Sequence, residues 1–163
     1  KDYGPVDLSK YNSSLGANLR IPNSIYKDEA HKHPIKTISN IRTVEEARDA
    51  LANGYSMAVC SGYGFSSRRD SKGIAARGKG WSHAMAWIAC DDTRKRHNET
   101  LFLIQNSWGV WNSGPKAHDQ PEGSFWVREK DARGMLSSGG AWVFSNVEGF
   151  PSRDIDWTIG DVF

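Results

Sequence analysis

The sequence has 163 residues, of which 38% are hydrophobic and 25% are charged, with 21 basic residues against 19 acidic ones. This composition supplies enough apolar side chains for one folded domain and excludes an intrinsically disordered chain. A net charge of +2 argues against a nucleic-acid-binding surface, which needs a concentrated basic patch. The longest apolar stretches, 84–90 and 101–104, are far shorter than the roughly 20 residues of a membrane-spanning helix. We therefore expect neither nucleic acid nor a membrane as a partner.

Residues 1–42 are predicted to form an irregular N-terminal segment, and residues 43–163 a β-rich domain. The first part is rich in Asn, Ser, Pro, Lys and His and has few periodic apolar positions. The first residues contain neither an initiator Met nor the apolar run of a secretion signal. We therefore expect an N-terminal portion of the protein to precede this chain.

A short amphipathic helix is predicted over residues 44–53. Thr43 and Glu46 form a capping-box pattern, in which each side chain can bond the backbone amide of the other residue. The apolar residues that follow share one helical face: Val44, Ala47 and Leu51. Gly54 supplies the left-handed residue that typically ends a helix.

Several strands are predicted after this helix. The stretch 61–80 separates the first strand from the others and is predicted to be a long loop, because it contains five glycines and a basic cluster. The apolar runs that predict strands are 55–60, 83–91, 101–106, 124–129 and 141–145. One helix followed by strands with short polar turns indicates an α+β fold with a mostly antiparallel sheet or barrel.

The two cysteines, Cys60 and Cys90, each end a β-like apolar run. This placement predicts two buried structural thiols rather than a disulfide, which suits a reducing compartment. Neither thiol is expected to be a nucleophile, since no helix N-terminus or cationic neighbour is evident to activate it. His31 and His33 lack partner ligands at a metal-binding spacing, so no metal and no other cofactor is predicted.

A pair of polar residues marks the candidate site. If the strands 83–91 and 101–106 form a hairpin, His83 lies opposite Asn106 and their side chains point to the same face. A carboxamide oxygen that accepts from one imidazole nitrogen fixes the ring and leaves the other nitrogen facing a third group, a nucleophile. Trp108 can cover this hydrogen bond, while Ser107 and Gly109 allow the chain to turn.

These residues carry a resemblance to a known family. His-Ala-Met at 83–85, Gln-Asn-Ser-Trp-Gly at 105–109 and Gly-Ser-Phe-Trp-Val at 123–127 resemble the C-terminal half of a papain-like cysteine peptidase. The resemblance covers about residues 43–145. It implies a papain-like β-rich half-domain with His83 as general base and acid, Asn106 as its orienting partner and Trp108 as the shield. Trp111 is then either a wall of the cleft or an ordinary packing residue.

The sequence also departs from this family. Papain-like enzymes carry the nucleophilic Cys and an oxyanion-binding Gln upstream, in a helical domain, whereas the glutamines here, Gln105 and Gln120, both follow His83. The resemblance therefore implies a companion polypeptide that supplies both groups, a peptide or protein substrate, and no activity of this chain alone.

Two other functions were weighed against this one. The first is a catalytically inert papain-like domain that serves as a binding or structural component of a larger assembly. The second is a peptidoglycan amidase or transglutaminase-like fold, which the Asn-Ser-Trp-Gly segment disfavours.

Overall fold

In the computed structural model, the described residues are 31, 35–95 and 97–147. They contain two helices, α1 (Val44–Ala52) and α2 (Glu129–Ser138). The strands are β1 (Ile35–Asn40), β2 (Met57–Ser61), β3 (Phe65–Arg69), β4 (Ala75–Arg77), β5 (His83–Asp91), β6 (Leu101–Gln105), β7 (Ser124–Arg128) and β8 (Gly140–Val147). The side chains discussed below belong to one compact unit, whose described part is Ile38–Phe144.

Six of the strands form one sheet in the order β1-β8-β2-β5-β6-β7. The pairs β2–β8, β2–β5, β5–β6 and β6–β7 are all antiparallel. The predicted α+β class with a mostly antiparallel sheet is therefore confirmed. None of the helices in the described residues is long and apolar enough to cross a membrane.

Helix α1 begins as its sequence predicts. The Glu46 amide donates to Thr43 Oγ1 at 3.1 Å, and the Thr43 amide donates to the Glu46 carboxylate at 3.3 Å, which completes the capping box. The helix ends at Ala52, one residue earlier than predicted, and Gly54 follows with a φ of +77°. The buried face is the predicted one: Val44, Ala47 and Leu51.

Helix α2 corrects the prediction of a single helix. Its first turn has no side-chain cap, since Arg128 at the N-cap position makes no such hydrogen bond, so the usual start signal is missing from the sequence. Gly134 inside the helix also lowers its predicted helicity. A Cβ at Gly134 would lie 2.1 Å from the Tyr63 hydroxyl, which explains the glycine. Both helices contribute to one hydrophobic core, α2 through Ala132, Met135 and Leu136.

The predicted long loop 61–80 is also corrected, because it contains the antiparallel pair β3–β4. Arg69, at the end of β3, is only 5% exposed. Its guanidinium donates to oxygens of four residues: Asn112, Gly114 and Pro115 in the segment before β7, and Ser124 at the start of β7. This hairpin therefore holds the segment that follows Trp108.

The N-terminal prediction is wrong for part of its range. Strand β1 lies within the segment 1–42 that was expected to be irregular, and Ile41 is buried in the core and donates its amide to Ala141 O at 2.9 Å. The rest of that segment, apart from residue 31, lies outside the described residues, as do 148–163 of the predicted β-rich domain.

Candidate functional site

His83 and Asn106 meet at one end of the sheet. His83 is the first residue of β5, Asn106 directly follows β6, and His83 Nε2 lies 2.9 Å from Asn106 Oδ1. The predicted contact is confirmed, but the predicted register is not. Gln105 lies opposite Ala86, whereas a His83–Asn106 pair would place it opposite Ala84. A shift of two residues keeps side chains on the same face, so His83 and Asn106 still meet as diagonal neighbours.

The surroundings of Asn106 fix the protonation pattern of the imidazole. The Ser107 backbone amide donates to Asn106 Oδ1 at 2.7 Å. Because an amide N–H can only donate, the side-chain atom it meets is the carbonyl oxygen, and this oxygen can only accept from His83. Nε2 of the neutral ring therefore carries the hydrogen, and Nδ1 is left with a free lone pair. The pair presents an oriented base.

Trp108 covers this hydrogen bond, as predicted. Its indole stacks on the His83 ring with a centroid distance of 4.6 Å and an interplanar angle of 24°. Trp81 lies beside this stack, with its ring 4.9 Å from that of Trp108 and 6.0 Å from that of His83. Trp81 was not predicted as a site residue, although its position two residues before His83 was a usable signal. A Cβ at Gly64 would lie 1.9 Å from Trp81 Nε1, so Gly64 makes room for this indole.

Trp111 packs edge-on against the stacked Trp108 indole. Its Nε1 donates to Gly123 O at 2.8 Å, and its ring meets that of Phe125 edge-on at 5.5 Å. It also contacts Trp108 edge-on, with a centroid distance of 5.6 Å. These contacts are packing contacts, and the role of Trp111 as a cleft wall stays a prediction.

Two glycines permit the turn that carries Trp108. Gly109 has a φ of +60° and nothing within 4 Å of an added Cβ, so its glycine is explained by backbone conformation alone. Gly123 has a φ of +76°, and an added Cβ would lie 2.3 Å from Gly109 O. The close approach of these two backbones therefore requires glycine at 123.

Gln105 anchors the Asn106 backbone. Its Nε2 donates to Asn106 O and to Glu122 O, both at 3.0 Å, which ties the end of β6 to the turn before β7. Asn106 itself is 3% exposed, and within the described part of the chain its Nδ2 has no hydrogen-bond partner. The positioning role of Gln105 was not predicted, because a side chain that bonds to the carbonyl of its own neighbour leaves no pattern in the sequence.

Cys60 is half-buried rather than buried, which corrects the prediction. It lines an open pocket of about 410 Å³ that His83 also borders. Strand pairing places Ser61 opposite His83 and Cys60 opposite Ala84. Because successive residues of a strand point to opposite faces, the Cys60 thiol leaves the sheet on the face away from the imidazole.

Cys90 lies at the far end of β5 from His83 and is also half-buried. Burial, with a smaller contribution from the charge of Asp92, raises the pKa of the Cys90 thiol to about 11. Both cysteines are free, so the prediction that they form no disulfide is confirmed. Met57 and Met85 are buried in the core.

The two histidines for which no metal was predicted are only partly described by the structure. His31 is exposed, and His33 lies outside the described residues. Across residues 31, 35–95 and 97–147, no group of three or more His, Cys, Asp or Glu side chains could hold a metal ion.

Comparison with solved structures shows a distant likeness. No protein-family model matches the sequence, and no curated protein matches it. The crystal structure of SERA5E from Plasmodium falciparum is similar over 77% of this chain, with 15% sequence identity and a TM-score of 0.38. The match covers 53% of the SERA5E chain, so this chain spans about half of that length.

Proposed function

We propose that this chain is the His/Asn-bearing part of a papain-like cysteine peptidase, which hydrolyses peptide bonds through a thiol. The observation that carries the proposal is the His83–Asn106 hydrogen bond of 2.9 Å beneath the Trp108 indole. Its geometry leaves Nδ1 as the free base of an oriented imidazole, which is what a thiol nucleophile needs.

In the proposed reaction, His83 Nδ1 takes the proton of the thiol, and the thiolate attacks the carbonyl carbon of the peptide bond. The imidazolium then gives this proton to the leaving amine, and an acyl thioester remains. In the second half, His83 takes a proton from water, the hydroxide attacks the thioester, and the thiol recovers the proton. Asn106 keeps the ring oriented through both halves, and Trp108 keeps water from competing for the Nε2–H.

We assign the nucleophile to a companion polypeptide rather than to this chain. The Cys60 thiol points to the sheet face away from the imidazole, and Cys90 is at the opposite end of β5 with a pKa of about 11. A thiol that stays protonated near neutral pH is a poor nucleophile. The same companion would supply the glutamine that donates to the oxyanion.

The exposed aromatic face beside His83 supports a companion that covers it. Trp108 is 50% exposed and Val110 is 74% exposed, although they lie only two and four residues after the buried Asn106. Large apolar side chains grouped next to a polar site are typical of surfaces that another polypeptide covers.

The test is hydrolysis of a fluorogenic peptide amide by this chain together with the polypeptide that supplies the thiol. His83→Ala is expected to lower kcat by about 10²–10⁴-fold, the range for a lost general acid–base. His118→Ala is the matched control, because His118 is exposed and makes no contact with the site. Cys60→Ser should retain activity.

Two outcomes would contradict the proposal. A correctly folded complete protein without thiol-dependent hydrolysis would favour the inert binding component instead. Activity of the isolated chain that disappears in Cys60→Ser would place the nucleophile in this chain.

A further inference from the structure

A second cavity lies between the β3–β4 hairpin and the start of α2. Its volume is about 660 Å³, which is within the roughly 300–1,000 Å³ typical of ligand pockets. Its described lining includes neither His83, Asn106 nor Trp108, so it is distinct from the candidate catalytic site. Four elements supply its basic side chains: Arg68 on β3, Arg77 on β4, Arg128 on β7 and Lys130 on α2.

Three of these cations have no ion-pair partner within the described part of the chain. Arg68, Arg77 and Lys130 are exposed, and none forms an ion pair with any residue that the structure describes. The Arg77 guanidinium lies over the Tyr63 ring, 4.0 Å from its centroid. This cation–π contact holds the group against the cavity wall while its N–H donors stay available.

The buried Arg69 adds positive charge at the floor of the cavity. Its guanidinium donates to neutral oxygens such as Ser124 O and forms no ion pair with a carboxylate of the described residues, while Glu122 compensates part of its charge from a longer distance. Buried charges are screened far less than exposed ones, so this charge contributes to the field in the cavity. Arg128 contributes less, because Glu99 pairs with it at 2.9 Å.

Two carboxylates oppose this field. Asp70 uses Oδ1 to accept from the Lys72 and Ile74 amides, at 2.8 and 3.0 Å, which compensates part of its charge. Asp131 is 8% exposed in the first turn of α2. Five cations against Asp70, Asp131 and Glu99 leave an excess of two positive charges in and beside the cavity, as large as the net charge of +2 of the whole chain.

We propose that this cavity binds a ligand with clustered oxyanions, that is, two or more carboxylate or phosphate groups. Guanidinium groups bind such oxyanions with paired hydrogen bonds, and three unpaired cations on three elements suit several anionic groups rather than one. Acidic side chains of a peptide and a free polyphosphate share this chemistry. A nucleic acid is disfavoured, because it needs an extended basic surface and the excess charge here is confined to one concave site.

The test is isothermal titration of the full chain with two probes, tripolyphosphate and a tetraglutamate peptide, at low salt. Arg68→Gln, Arg77→Gln and Lys130→Gln should each weaken binding by about two- to fivefold, the range for one exposed charge pair. Lys95→Gln is the matched control, since Lys95 is exposed and lies outside the cavity lining. Far-UV circular dichroism checks that every variant is folded.

The two probes distinguish the source of the ligand. Tighter binding of tripolyphosphate supports a free phosphate ligand, and tighter binding of tetraglutamate supports an acidic peptide segment. The proposal is overturned if neither probe binds, or if Lys95→Gln weakens binding as much as the three cavity variants do. Loss of peptide hydrolysis in the catalytic test leaves this result unaffected, because the binding assay does not use His83.

Discussion

Removal of the Arg69 guanidinium should destabilise the protein by an amount that the structure allows us to work out. In Arg69→Met, the four acceptors lose the guanidinium donor, and the consequence differs from one acceptor to the next. Gly114 and Pro115 are exposed, so water can replace the guanidinium at their carbonyls. Ser124 O keeps a donor from Asn112 Nδ2 at 2.9 Å. Asn112 Oδ1, which accepts from Arg69 Nη1 at 2.8 Å in a buried position, is the acceptor that is left unsatisfied.

One buried orphaned acceptor and the loss of three further charged hydrogen bonds give an expected destabilisation of about 3 kcal/mol. The removal of a buried, unpaired charge offsets part of this loss, and the Met side chain retains the packing of the aliphatic stem. Arg69→Lys keeps the buried charge, but its single nitrogen cannot reach oxygens in four directions. We therefore expect Arg69→Lys to be at least as destabilising as Arg69→Met.

The assay is equilibrium unfolding in urea, followed by far-UV circular dichroism and compared at unchanged m-value. Arg68→Met is the matched control, because Arg68 is the exposed neighbour and its substitution should change stability by no more than about 0.5 kcal/mol. A stability of Arg69→Lys within about 1 kcal/mol of the wild type would refute the reasoning, since it would mean that charge alone suffices without the planar fork.

Three further predictions concern the site and the thiols. Gly123→Ala should lower the free energy of unfolding, measured in urea, by more than about 2 kcal/mol, because the added Cβ would lie 2.3 Å from the rigid backbone oxygen of Gly109. An unchanged free energy of unfolding would contradict this close approach. Trp108→Ala should lower the free energy of unfolding by about 1 kcal/mol, because the stacked indole is lost. It should also speed the solvent exchange of the His83 Nε2 proton, measured by NMR spectroscopy. Unchanged exchange would show that the indole does not exclude water. Cys90, with its pKa raised to about 11, should be only about one-thousandth thiolate at pH 8. The rate of Cys90 alkylation, followed by mass spectrometry, should therefore keep rising up to about pH 11, whereas the rate for an ordinary thiol levels off near about pH 8.5. A plateau at that lower pH would contradict the effect of burial on the pKa.

The parts of the fold that local chemistry specifies were predictable from the sequence. The capping box of Thr43 and Glu46 defined the start of α1, and alternating or continuous apolar runs located every strand of the main sheet except β1. Helix α2 was not predicted, because Arg128 provides no side-chain cap and Gly134 lowers the helix propensity of the segment. The glycine is there because a Cβ at this position would collide with the Tyr63 hydroxyl. A tertiary contact that overrides local propensity leaves no local signal.

The candidate site was predictable in its partners but not in its register. The hairpin prediction places Asp91 opposite residue 98, whereas Asp91 pairs with Leu101, and an irregularity between Trp87 and Ala89 recovers only one of these three positions. An irregularity of this kind depends on how both strands pack and is not encoded in either strand alone. Trp81 was missed for a similar reason, since it reaches the stack through a tertiary contact beside Gly64.

The stack of Trp108 on His83 also makes this site optically visible. The two rings lie parallel to within 24° at a centroid distance of 4.6 Å, which is close enough for electron transfer from the excited indole to a protonated imidazole. Such transfer quenches indole emission, so the fluorescence of this one tryptophan changes as the imidazole gains or loses its proton. The difference in emission between the wild type and Trp108→Phe isolates that signal from the other six tryptophans of the seven in the chain. The protein thus carries its own reporter of the charge on the proposed base, and a companion that brings a thiolate to His83 would be detected without any label.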